Sequence, residues 1–223
     1  GKRQLNQIVS FWPIWFDEGY TFMISHFGYS EIASLTAVDV HPPLYYCLVH
    51  TWMSVFGYTE FGLRSFSLAL GVIALIGIFV LVRRLTKSNK SALAAMVLLS
   101  FSPVLIRYSN EGRMYTLVAA IVIWATYILV RATAAKPQSW KWWVIYGVLV
   151  CAGVLTQYFA ALAWLAHWVW RYAQYRRGEI KKFFTKYWIG AHVIAIGLFA
   201  FWIPTAWHQV TGIQEGFWIP AVT

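Results

Sequence analysis

Residues 142–170 read WWVIYGVLVCAGVLTQYFAALAWLAHWVW, a stretch without a single charge. A bilayer core of about 30 Å takes roughly 20 helical residues to cross. The stretch is therefore long for one crossing and short for two. Its flanks decide between these. Arg131, Lys136 and Lys141 precede it, and Arg171, Arg176, Arg177, Lys181, Lys182 and Lys186 follow. Basic loops stay in the cytoplasm, so a single crossing would leave one cluster on the wrong side. Two short helices keep both inside. The break is expected near Gly153 to Gln157, where Thr156 and Gln157 are the polar residues. Helices of about 15 residues reach only about 23 Å, which predicts a thin or tilted hairpin.

The same parity orders the rest of the chain. Arg83, Arg84, Lys87 and Lys90 form a third basic loop, so the three loops hold 13 of the 18 Lys and Arg residues. From Lys90 the chain must go out and return, as 91–107 and 113–131, with the turn Tyr108 to Arg113 outside. The last apolar run, 183–204, goes out and is expected to end near Pro204. Segment 43–57 is apolar but too short to cross, and a crossing there would put Arg83 and Arg84 outside. It reads as an interfacial helix opened by Pro42-Pro43, with Pro43 suited to a first helical turn. Residues 17–35 read as another external helix. The expected organisation is an external segment 1–59 with two interfacial helices. Six crossings over 60–204 follow (about 61–82, 91–107, 113–131, 141–155, 158–171 and 183–204). Residues 205–223 begin a further external loop. No spanning segment is evident before Asp17, so a longer protein with an earlier helix is expected.

Composition agrees with a membrane. The chain is 60% hydrophobic and 12% charged, against about 25% charged in a soluble domain. The apolar runs are apolar all round, which excludes the amphipathic helices of a soluble bundle. The net charge of +10 follows from the cytoplasmic loops and gives no reason to expect a nucleic-acid partner. Cys47 and Cys151 have neither metal nor disulfide spacing. The fold class is thus an all-α polytopic membrane protein.

Seven of the eight acidic residues, all but Glu179, fall in breaks that share the external side. Three clusters gather there: Trp15-Phe16-Asp17-Glu18-Gly19-Tyr20, Asp39-Val40-His41-Pro42-Pro43-Leu44-Tyr45-Tyr46, and Tyr108-Ser109-Asn110-Glu111-Gly112-Arg113-Met114-Tyr115. Taken singly, each has a plain reading: a helix cap at Asp17-Glu18, turn chemistry at His41, snorkelling at Arg113, Arg64 and Arg107. Taken together, they put carboxylates, an imidazole and a guanidinium in one compartment, where a carboxylate near hydrocarbon needs a partner.

The order FDEGYT, HPPLYY, an interfacial helix, a crossing ending in Arg83-Arg84, then YSNEGRMY resembles the GT-C membrane glycosyltransferases. It is most similar to the branch containing protein O-mannosyltransferases and the bacterial aminoarabinose transferase of lipid A. The resemblance covers essentially the whole chain, including LTQYFA between the two short helices. It implies a GT-C-type transmembrane bundle and a sugar donor linked to polyprenyl phosphate. It also implies inverting transfer to an acceptor hydroxyl, with an extracytoplasmic active site in a bacterial or archaeal plasma membrane. The family's acid pair falls on Asp17 and Glu18, with Asp17 as general base. Arg113 and then Arg64 are the candidates for the donor phosphate. Glu111, Tyr45, Tyr115 and Gln157 are candidate substrate contacts. His41 stands at a metal-ligand position of the aminoarabinose branch, so His41 with Glu18, or with Glu111, could hold zinc, manganese or magnesium. The branch's lysine is replaced here by Pro42, and its basic residue by Gln157.

Aromatic residues near the outer surface (Trp12, Trp15, Tyr45, Tyr46, Trp52, Tyr158, Trp202 and Trp207) fit an interfacial belt, and some could line a groove for the isoprenoid or bind sugar. His167 and His192 fall within crossings and read as helix-packing hydrogen bonds. His208 and Glu215 belong to the last external loop. Two other classes remain open on sequence: a transporter, which would place ionisable groups at mid-membrane, and a non-catalytic subunit that binds lipid-linked sugar.

Overall fold

The computed structural model describes residues 16–212, and every regular element among them is helical. The first part holds three short helices, α1 (Phe16–Ile24), α2 (Tyr29–Ala37) and α3 (Leu44–Phe56). The bundle follows as α4 (Glu60–Thr86), α5 (Asn89–Ser100), α6 (Pro103–Ser109), α7 (Tyr115–Ala134), α8 (Trp140–Thr156), α9 (Ala160–Arg176), α10 (Lys186–Phe199) and α11 (Ile203–Gly212). A single 3-10 turn, Ala200–Trp202, joins the last two.

Local chemistry sets these boundaries. Hydroxyls cap the helices that start in polar loops: Thr59 accepts from the Gly62 N–H, Ser88 from the Ser91 N–H and Thr185 from the Trp188 N–H. Each replaces a hydrogen bond that a first helical turn lacks. At the far end of α4, Arg83 and Arg84 sit in the last turn, where cations suit the helix dipole, and Lys87 closes it in the left-handed conformation. Three helical paths are long and apolar enough to cross a membrane: Glu60–Thr86, Tyr115–Ala134 and Lys186–Thr211. The α5–α6 pair, bent by 62°, makes a fourth. α8 and α9 are 17 residues each, about 26 Å of helix. They run as an antiparallel hairpin about Gln157 to Phe159, and α8 packs on α7 and α10.

Three expectations are corrected. Residues 17–35 are two helices, because the chain turns at Ser25 to Gly28 and restarts where the Gly28 N–H donates to Glu31 Oε2 at 3.0 Å. The stretch 91–107 is not straight. Pro103, which has no N–H to donate, opens a new helix after Ser102 and produces the bend. Pro204 does not end the last helix. It occupies the first turn of α11, where a missing N–H costs nothing, and the helical path continues to Gly212.

Close helix approach depends on small residues. A Cβ on Gly147 of α8 would stand 2.4 Å from the Ala191 carbonyl oxygen of α10, whereas one on Gly197 would meet nothing within 4 Å. Gly147→Ala should therefore lower stability by about 1–3 kcal/mol through overpacking. Gly197→Ala should be neutral or gain up to ~1 kcal/mol from helix propensity. Thermal unfolding in detergent measures both, and equal midpoints for the two variants would contradict this packing.

Candidate active site

Glu18 organises the end of the bundle that carries α1 to α3. Its side chain is 2% exposed and accepts two hydrogen bonds from Arg64 of α4: Nε to Oε1 at 3.0 Å and Nη2 to Oε2 at 2.8 Å. The Gly112 N–H, in the loop between α6 and α7, adds a third at 2.7 Å. A bidentate guanidinium plus a backbone donor satisfies a buried carboxylate as water would. Gly112 has to be glycine, since a Cβ there would stand 2.5 Å from the Leu63 side chain. One carboxylate thus ties α1, the start of α4 and the 110–114 loop together.

The neighbouring acid has another fate. Asp17 is 41% exposed, with Oδ2 3.8 Å from Arg113 Nη2. Arg113 is itself buried, 5% exposed, and its Nη1 donates to the Asp17 carbonyl at 3.3 Å. Its Nε has no hydrogen-bond partner. Around this cation lie Tyr46 and Tyr45, with buried hydroxyls that form no hydrogen bond of good geometry. Tyr20 carries the cluster onward. Its hydroxyl lies close to the Asp39 carboxylate, and burial together with the Asp39 charge pushes it up to about 12. Asp39 in turn pairs with His41 Nδ1 at 3.2 Å. Burial works against the Asp39 carboxylate, but the bonds from His41 and the Val40 N–H outweigh it and hold the group below the usual range. Glu111 is held above it, first by burial and then by the Glu18 charge, with Arg107 at 3.6 Å opposing. Asp17, Arg113, Asp39, His41 and Glu111 are thereby placed at one end of the molecule.

The expected roles are redistributed. Glu18 and Arg64, candidates for catalysis and for the donor phosphate, hold each other. Tyr45 is fully buried, between Tyr46 and Phe66, and is core rather than a substrate contact. Tyr115 stacks on Tyr108 at 4.2 Å, and Gln157 is half-buried in the α8–α9 turn. His41 turns to Asp39 and Glu18 to Arg64, and among the described residues no three His, Cys, Asp or Glu side chains gather as a metal site. Trp12, Trp15 and Glu215 lie outside the described residues.

A profile of the dolichyl-phosphate-mannose-protein mannosyltransferases matches residues 40–215. The chain belongs to this family. A GT-C-type helical membrane bundle follows from that membership. The match covers HPPLYY and YSNEGRMY and begins after the Asp17-Glu18 pair. An uncharacterized protein of Aquifex aeolicus is 33% identical over 91 residues, covering 39% of this chain and 18% of that relative. The chain thus spans under a fifth of that relative's length. No solved structure matches the chain.

Sequence reasoning missed two features of this mannosyltransferase-family site. One is the approach of Tyr20 to Asp39, which no local spacing announces. The other is Gln209 of α11, whose Nε2 donates to the Thr36 and Asp39 carbonyls, each at 2.6 Å. Its Oε1 accepts from the Tyr158 hydroxyl, which accepts from Trp202 Nε1 at 3.0 Å. A lone glutamine at the end of an apolar helix was the available signal. Because Glu18 is buried, Glu18→Ala should cost about 3–5 kcal/mol by stranding Arg64. Gln209→Ala should cost about 1–3 kcal/mol. Thermal unfolding would refute the clamp if Glu18→Ala were no worse than Gln209→Ala.

Proposed function

We propose that the protein transfers a sugar from a polyprenyl-phosphate donor to an acceptor hydroxyl on the extracytoplasmic side, with inversion. The observation that carries this reading is a half-exposed carboxylate, Asp17, beside a buried, under-bonded guanidinium, Arg113, in a chain of the mannosyltransferase family.

Asp17 takes the proton of the acceptor hydroxyl as the acceptor oxygen bonds to the anomeric carbon. The bond from that carbon to the phosphate oxygen breaks on the opposite face, and polyprenyl phosphate leaves with the electron pair. Negative charge grows on the phosphate, where a preplaced cation acts most strongly in a water-poor site. Arg113 supplies it: of five N–H donors, one is given to the Asp17 carbonyl, and Nε is unclaimed. Glu18 and Arg64 act as positioning residues. They fix α1 against the 110–114 loop and so set the distance between Asp17 and Arg113. Tyr20, Asp39 and His41 lie at the same end and are suited to sugar hydroxyls, since each can give or take a hydrogen bond. The lipid tail lies along the apolar outer face of the bundle, where Leu68, Val72 and Ile76 of α4 are exposed.

Asp17→Asn keeps the size of the side chain and removes the base. It should lower turnover about 10²–10⁴-fold and leave binding of the lipid-linked sugar within about twofold. Transfer at the wild-type rate by a folded Asp17→Asn protein sinks the assignment. Arg113→Lys keeps the charge but loses the fork, and should weaken both turnover and donor binding. Transfer and binding assays on reconstituted protein separate the two.

A further inference from the structure

The opposite end of the bundle contains a second unbalanced cation. Arg171, in the last turns of α9, is 1% exposed. Its Nε donates to the Phe183 carbonyl at 2.8 Å and its Nη2, weakly, to the Lys182 carbonyl at 3.4 Å. Its guanidinium lies 4.7 Å from the Trp188 ring centre, 5.6 Å from Trp143 and 6.0 Å from Phe183. None of the ion pairs among the described residues includes it. A guanidinium out of water with only rings and carbonyls around it is costly unless an anion completes it.

The surroundings are incompletely paired as well. Arg171 Nη1, Trp143 Nε1, Trp188 Nε1 and His192 Nε2 are all buried without hydrogen-bond partners. They form one cluster, since Trp143 and Trp188 touch edge to face at 5.8 Å and Trp188 lies 4.3 Å from His192. Three of the four are certain N–H donors, whereas His192 Nδ1 donates to the Trp188 carbonyl at 2.8 Å and leaves Nε2 as an acceptor in the neutral ring. Buried donors without acceptors are uncommon and call for a partner. Over them runs the 177–185 loop, with Lys181 and Lys182 exposed, and beside it Tyr172, Tyr175 and Phe184 are exposed as interfacial aromatics are.

We infer that this end of the bundle holds the phosphate of an anionic membrane lipid between α8, α9 and the 177–185 loop. The phosphate replaces the weak Lys182 carbonyl contact and accepts from Arg171. The indole N–H groups of Trp143 and Trp188 border the same guanidinium. Lys181 and Lys182 form the rim, and the acyl chains follow the apolar flank of α9, where Leu165 and Val169 are exposed. A lipid fits better than a free ion because the cluster lies at a helix end flanked by exposed apolar and aromatic surface. Basic pockets of this kind between membrane helices bind anionic head groups. The inference is independent of the transfer reaction and concerns the other end of the molecule.

The test uses the full chain in nanodiscs of phosphatidylcholine alone or mixed with phosphatidylglycerol. It reads the unfolding midpoint and, by native mass spectrometry, the lipid that stays bound. Phosphatidylglycerol should raise the midpoint of the wild type and remain bound. Each rim charge removed in Lys181→Gln and Lys182→Gln should weaken retention about fivefold. Arg171→Lys and Trp143→Phe should weaken it too. Trp143→Phe keeps a ring in the core, so it reports even if Arg171→Lys fails to fold. Equal retention by wild type and Trp143→Phe, with loss only in the lysine variants, would mean diffuse surface attraction and overturn the site. A midpoint raised equally by inorganic phosphate, or not raised by phosphatidylglycerol, would overturn it as well.

Discussion

One end of this protein's bundle depends on one buried carboxylate. Glu18 receives both arms of Arg64 and the Gly112 N–H, so three segments far apart in sequence meet at two oxygen atoms. Such a pair need not add stability compared with a well-packed hydrophobic contact, because desolvation offsets much of the attraction. Its value lies in direction. A hydrophobic contact tolerates a slip of an ångström, whereas a bidentate pair with a backbone donor fixes both distance and orientation. Everything that borders the opening is placed relative to that point.

The clamp has consequences on two sides. Gly112 is followed directly by Arg113, so pinning the 110–114 loop also sets where the buried guanidinium stands. Leu63, against which Gly112 packs, comes one residue before Arg64, so the loop contact and the ion pair reinforce each other. On the other flank, Gln209 joins α11 to the backbone at Thr36 and Asp39. The first and last described helices therefore both close on the same end of the bundle. The bundle supplies apolar length, and a few polar contacts at one end supply position.

Much of the bundle was legible from charge alone. The basic loops mark helix ends because lysine and arginine cross hydrocarbon poorly, and that rule is local to the loops. Parity then called for a break in 142–170, and the helix ends at Thr156, within the stretch named for it. Prolines were read less well. Pro204 and Pro103 have the same chemistry, yet one sits harmlessly in a first turn and the other marks a bend, and only the neighbouring helices decide which. The pocket was the least legible part. FDEGYT and YSNEGRMY announce charged groups, but Arg64 looks like any arginine near a membrane surface until its partner, 46 residues earlier, is seen. Tyr45 and Tyr46 are adjacent aromatics in one motif, and nothing in their order says that both face inward from α3.

The acidic pair shows why two carboxylates stand side by side. Neighbouring residues on a helix point about 100° apart, so Asp17 and Glu18 cannot face the same surroundings. Glu18 turns into the bundle, where its charge is fully matched and no longer available to a reactant. Asp17 turns outward, remains open to solvent, and stays within reach of Arg113. In the proposed transfer a single carboxylate could not do both tasks, because the contacts that hold a group rigid are those that would compete with a proton in flight. Adjacency solves this conflict, since the backbone that Glu18 anchors is the backbone that carries Asp17. The Arg113 bond to the Asp17 carbonyl then holds the same peptide unit from the other side. Precision at the open acid is thus borrowed from the closed one, and the two residues form one device although only one of them meets the outside.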